Sequence, residues 1–141
     1  MYQFELMREE LKELILTNYS VLIKEYDLTF RDISSVFPQY LLYNDKCIVR
    51  FTYDMGSVEV SFIDPLVKHK ADLIKNPGGF PSGYPVYPVF HTHKCLFPND
   101  QLKFGSNSWE LEQQVKSSRD LIACRFTNVL KGDFTWTNQC P

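Results

Sequence analysis

The 141-residue chain has no stripe of Lys or Arg, and its formal net charge is −2. The electrostatic footprint of phosphate-backbone binding is therefore missing, and direct nucleic-acid binding is not expected. No stretch approaches the roughly 18 consecutive apolar residues of a membrane span. The N-terminus MYQFELMREELKEL is acidic and amphipathic, with neither the basic start nor the unbroken apolar core of a secretory signal. These two absences place the protein, as an expectation, in the cytoplasm and away from membranes. Cys47, Cys95, Cys124 and Cys140 form no C-x-x-C pair that would suggest zinc or redox chemistry. Free thiols are expected, with Cys47 on a strand and Cys124 within a helix reading as small buried apolar residues. Gly78-Gly79 has neither the strand-to-helix context nor the lysine of a phosphate loop.

Against these absences stand 44% apolar residues and 15% aromatics, enough for one sizeable core with rings to spare. One domain over residues 1–141 is expected. Its organising stretch is FPQYLLYNDKCIVRFTYDMGSVEVSFI, residues 37–63. Two-residue turns at Asn44-Asp45 and Met55-Gly56 would put Tyr40, Leu42, Cys47, Val49, Phe51, Tyr53, Val58, Val60 and Phe62 on one face. The other face mixes Gln39, Arg50, Thr52, Glu59 and Ser61 with Leu41, Ile48 and Ile63, so a later segment is expected to cover part of it.

A sheet with one apolar side needs a cover. Phe4, Met7, Leu11, Ile15, Tyr19, Leu22 and Tyr26 recur at helical spacing over residues 3–27 and supply one. Leu28 to Val36 reads as a connector. Asp64-Pro65 has the form of a helix entry, and Asn76-Pro77-Gly78-Gly79 of its end. A second long helix is predicted from a capping box at Asn107 and Glu110, through Leu111, Val115, Ser118, Ile122, Phe126 and Val129, to a left-handed stop at Gly132. The tail should be ordered at least to Trp136. The fold class is α+β, an antiparallel meander packed against N-terminal and C-terminal helices.

Between the helices, residues 76–107 combine prolines with Phe80, Tyr84, Tyr87, Phe90, Phe97 and Phe104. Long helices are forbidden there, and the segment is too apolar for a linker. An ordered loop is expected, with an edge strand within Val86–Leu96. Its rings make it the candidate contact surface, with Phe80, Tyr84, Tyr87, Phe90, His91 and His93 as partner-binding residues. On an extended segment His91, His93 and Cys95 would point the same way, the one arrangement resembling a metal or Cys-His site. His69 is the only other histidine and no nucleophile signature accompanies the three residues, so no metal, cofactor or catalytic residue is assigned.

LILTNYSVLIKEYDLTF, YLLYNDKCIVRFTYDMGSVEVSFIDP and VLKGDFTW together resemble small bacterial α+β proteins, some of them immunity proteins of toxin systems, including contact-dependent growth inhibition. The resemblance leaves residues 76–106 unmatched and carries over no functional residue. It implies a cytoplasmic, non-enzymatic protein that binds and neutralises a cognate toxin domain, a nuclease being one such partner. The alternative is a small metal-dependent or cysteine-dependent enzyme using His91, His93 and Cys95.

Overall fold

Residues 39–63 fold as the predicted meander in a computed structural model that describes residues 2–34, 36–65, 85–100 and 110–140. Strands β2 (Gln39–Tyr43), β3 (Ile48–Asp54) and β4 (Ser57–Ile63) pair antiparallel, flanked by β1 (Thr29–Asp32) and β5 (Tyr87–Pro88) in the order β1-β2-β3-β4-β5. The second turn is the two-residue Met55-Gly56, closed by the Asp54–Ser57 pair. The first is longer than expected. Tyr43 pairs with Ile48, and Asn44 closes the loop by donating its N–H to the Cys47 carbonyl at 3.0 Å. Asn44 Oδ1 accepts the Lys46 and Cys47 N–H groups at 2.8 and 2.9 Å. The register shifts by two residues, and an even shift keeps every side chain on its face.

The expected faces therefore hold. Tyr40, Leu42, Cys47, Val49, Phe51, Val58, Val60 and Phe62 are buried in the main core. On the opposite face Leu41, Ile48 and Ile63 join Ile33 in a smaller cluster, against which Val86 packs. The segment expected to be a connector contributes β1, hydrogen-bonded along Tyr40–Tyr43.

The helical cover comes from both ends of the chain. The N-terminal stripe forms α1 (Tyr2–Asn18) and α2 (Ser20–Glu25), broken at Tyr19, and buries Leu11, Ile15, Tyr19 and Leu22. The side chain of Phe4 lies outside the described residues. Asp27, at φ 54°, ends α2 in a left-handed cap in which the Leu28 N–H reaches the Ile23 carbonyl at 2.9 Å. A short helix α3 (Val89–Leu96) follows β5. Residues 111–130 form α4 (Leu111–Arg125) and α5 (Thr127–Leu130), separated at Phe126. Gly132 stops α5 at φ 100°, as expected, and a Cβ there would also press on the Lys46 side chain at 3.3 Å. Helix α4 starts later than the expected capping box: Glu110 is its N-cap, at φ −61° and ψ 157°, and so is not the third helical residue, while Asn107 and the helix expected after Asp64-Pro65 lie outside the described residues.

Buried polar contacts fix how the layers meet. The Tyr19 hydroxyl lies 2.5 Å from Ser118 Oγ, joining the N-terminal helices to α4, while its ring meets Phe51 edge-on at 5.0 Å. Tyr40 donates its hydroxyl to the Arg8 carbonyl at 2.7 Å. The most unusual contact closes the edge of β4. Gln114 of α4 accepts the Val58 N–H at 2.8 Å and donates to the Gly56 carbonyl at 3.1 Å. Its side-chain amide thus stands in for a strand where β5, which pairs only at Ser61 and Phe62, does not reach. Replacing Gln114 by leucine leaves both backbone groups without this partner and is expected to cost about 2–3 kcal/mol in urea unfolding.

The tail is ordered beyond Trp136, as a 3-10 helix (Thr135–Asn138). Asp133, two residues before it, accepts the Thr135 hydroxyl at 2.6 Å, the Thr135 N–H at 3.1 Å and the Asn128 amide at 3.1 Å. These bonds, the Thr135 hydroxyl foremost, hold the Asp133 carboxyl below the usual carboxylate range. Its contribution to stability is complete above its unfolded-state pKa and is lost as pH falls through the lower folded-state value. Asp133→Asn should therefore reduce the fall in melting temperature that accompanies acidification below about pH 5.

Candidate functional site

Of the residues singled out for binding, Phe90, His91 and His93 lie on α3 and Tyr87 lies on β5 just before it. Pro88 precedes the helix and Pro98 follows it, so a short helix fits between prolines that forbid a long one. Val89, Thr92 and His93 turn inward and are buried, while His91 is exposed. The expected edge strand is confined to Tyr87–Pro88, and this corrects the extended reading of His91, His93 and Cys95. At about 100° per residue, His93 points away from the side shared by His91 and Cys95.

Each of the three has a separate environment. His93 Nε2 lies 2.8 Å from Asp100 Oδ2, both side chains being 8% exposed. Arg125, at the end of α4, brings its Nε to the same oxygen at 3.0 Å. Cys95 is bonded to Cys140, so the expectation of free thiols fails for this pair. Of the free cysteines, Cys47 is buried as expected and Cys124 is exposed, contrary to expectation. Arg125 also donates to Cys124 Sγ at 3.2 Å. Among the described residues no group of three His, Cys, Asp or Glu side chains is placed to hold a metal ion.

The aromatic candidates divide between core and surface. Tyr87 packs its ring on Trp136 at 5.2 Å, and Tyr87 and Phe90 are both partly buried against the main core. Phe80 and Tyr84 lie outside the described residues. Phe97, which was read only as part of the aromatic segment, is exposed at the end of α3. The Arg125 guanidinium carbon stands 5.6 Å from its centroid, and His93 and Phe126 flank it at 5.8 and 6.1 Å. Leu96, Phe97, Pro98, Asn99, Asp100 and Arg125 line an open depression of about 520 Å³. The Asp100 carboxylate raises the Arg125 pKa further, so that guanidinium stays charged.

This arrangement joins α3 to α4 and presents an aromatic ring with a cation at the rim of a shallow hollow. Such a surface suits contact with another macromolecule, since arginine and aromatic rings concentrate binding energy when they are desolvated. Among the described residues no helix is long and apolar enough to cross a membrane. No protein-family model, curated protein or solved structure matches the chain.

Proposed function

We propose that the chain is a non-enzymatic immunity protein that binds a cognate toxin domain and neutralises it by occluding its active site or a surface the toxin needs. The observation that carries this reading is how the polar groups around α3 are used. His93, Asp100, Arg125 and Cys95 are all engaged in holding elements together, while Phe97 and Arg125 remain at the rim of an open depression. A rigid surface with preformed anchors is what an inhibitor requires. His91 adds an exposed imidazole on the same helix, and Tyr87 and Phe90 offer the ring surface that the core leaves uncovered.

Co-production tests the proposal. The toxin domain encoded beside this chain should arrest growth when produced alone, and this protein should restore growth. Arrest that persists at matched expression contradicts the reading. The enzyme alternative makes a different demand: stoichiometric zinc in protein purified without an affinity tag would favour it. Location is also testable, because disulfides are rare in the cytosol. Rapid alkylation in intact cells should trap Cys95 and Cys140 as thiols if the protein acts in the cytoplasm. A majority of intact bridges would assign it to an oxidising compartment.

A further inference from the structure

We propose that the β3–β4 hairpin end of the sheet is a docking surface for a protein segment that presents an arginine or lysine between apolar residues. Five large apolar side chains are exposed among the described residues, and three of them gather here: Val36 at 72%, Phe37 at 46% and Met55 at 95%. The Tyr53 N–H donates to the Pro38 carbonyl at 3.0 Å. Phe37 therefore stands level with Asp54, one residue from the Met55-Gly56 turn.

Met55 is the least expected of the three. It takes φ 51°, followed by Gly56 at φ 84°, the two positive values that a type I′ hairpin turn requires. Asn, Asp or Gly normally occupies the first of these positions, because a longer side chain there is sterically disfavoured. Met55 accepts that strain and leaves its side chain exposed, so burial of the side chain does not offset the cost. Local choices that work against folding mark functional positions, and methionine adapts its shape to binding partners.

Beside the turn lies a polar cleft of about 270 Å³ lined by Arg50, Thr52, Asp54, Ser57 and Glu59. Two carboxylates face one guanidinium, so the cleft favours a cation. A guanidinium or ammonium group supplies that charge, and apolar neighbours on either side of it would cover Met55 and Phe37.

This surface is independent of the toxin reading and can be tested with the chain alone. Acetyl-Leu-Arg-Leu-amide titrated into the ¹⁵N-labelled full chain should move the amides of Thr52, Asp54, Met55 and Ser57 saturably, with a Kd of about 1 mM. Acetyl-Leu-Glu-Leu-amide should not. Met55→Asn should weaken the arginine peptide about fivefold while raising the melting temperature, because asparagine suits the turn. Glu59→Gln should weaken it by a similar factor with the fold unchanged. The proposal is overturned if the shifts fall elsewhere or fail to saturate, if the glutamate peptide binds equally, or if Met55→Asn binds as tightly as the parent.

Discussion

Phe62→Ala lowers the stability of this protein by about 3–5 kcal/mol, the largest single-residue loss expected among the described residues. Phe62 is fully buried on β4 at the point where three parts of the chain meet. Its backbone neighbours are Val49 on β3 and Tyr87 on β5. Its ring meets Phe126, at the break between α4 and α5, at 5.4 Å, and Trp136 of the tail at 6.4 Å. Truncation removes the ring's transfer energy and leaves a cavity whose walls belong to separate elements, so they cannot collapse together. Against a total stability of about 5–15 kcal/mol the loss is severe. Chemical denaturation checks it, and Phe62→Leu, which keeps most of the volume, should cost less than about 1.5 kcal/mol.

Cys140→Ser has the second largest expected effect. The Cys95–Cys140 bridge closes a separation of 45 residues, for which loop-closure entropy gives about 4 kcal/mol. It also pins the tail that carries the buried Phe134 and Trp136 onto α3. Losing it should free the residues beyond Asp133 first, because the 3-10 helix is held largely by the local bonds of Asp133 and by the core contacts of Trp136. The melting temperature of the variant should match that of the reduced parent protein. Cys124→Ser is the control: Cys124 is exposed and unbridged, and its replacement should change stability by less than about 0.5 kcal/mol.

Much of the scaffold was legible in the sequence for a definite reason. Alternation at period two survives an error of two residues, so the longer loop at Asn44 left Tyr40, Leu42, Val49 and Phe51 on the expected face. Helical periodicity identified Leu11, Ile15, Tyr19 and Leu22, and Gly132 marked a helix end. Signals with no local period were missed. Thr29-Phe30-Arg31-Asp32 alternates poorly because it is an edge strand with three exposed residues, and its identity comes from its partner β2. The prolines around Val89–Leu96 masked a helix that they bound. The Cys95–Cys140 pairing depends on the tail folding back over α3, which spacing along the chain does not encode. Gln114 gave no signal, since one glutamine in a polar helix reads as surface until the helix is set against the edge of β4.

The candidate site was legible as a region and not as chemistry. The aromatic segment pointed to the neighbourhood of α3, yet the groups that shape the depression, Asp100, Arg125 and Phe97, come from its far end and from another helix. No local motif joins residue 100 to residue 125. The hairpin tip was read correctly as a turn at Met55-Gly56, while the exposure and strain of Met55 required the folded chain.

Calorimetric titration of the purified protein with the toxin domain proposed as its partner tests the binding reading most directly. The expected result is a 1:1 complex with a Kd of about 10 nM or tighter, weakened when Phe97 and Arg125 are both replaced by alanine in a protein that still folds. No heat and no co-elution at about micromolar concentrations would contradict it.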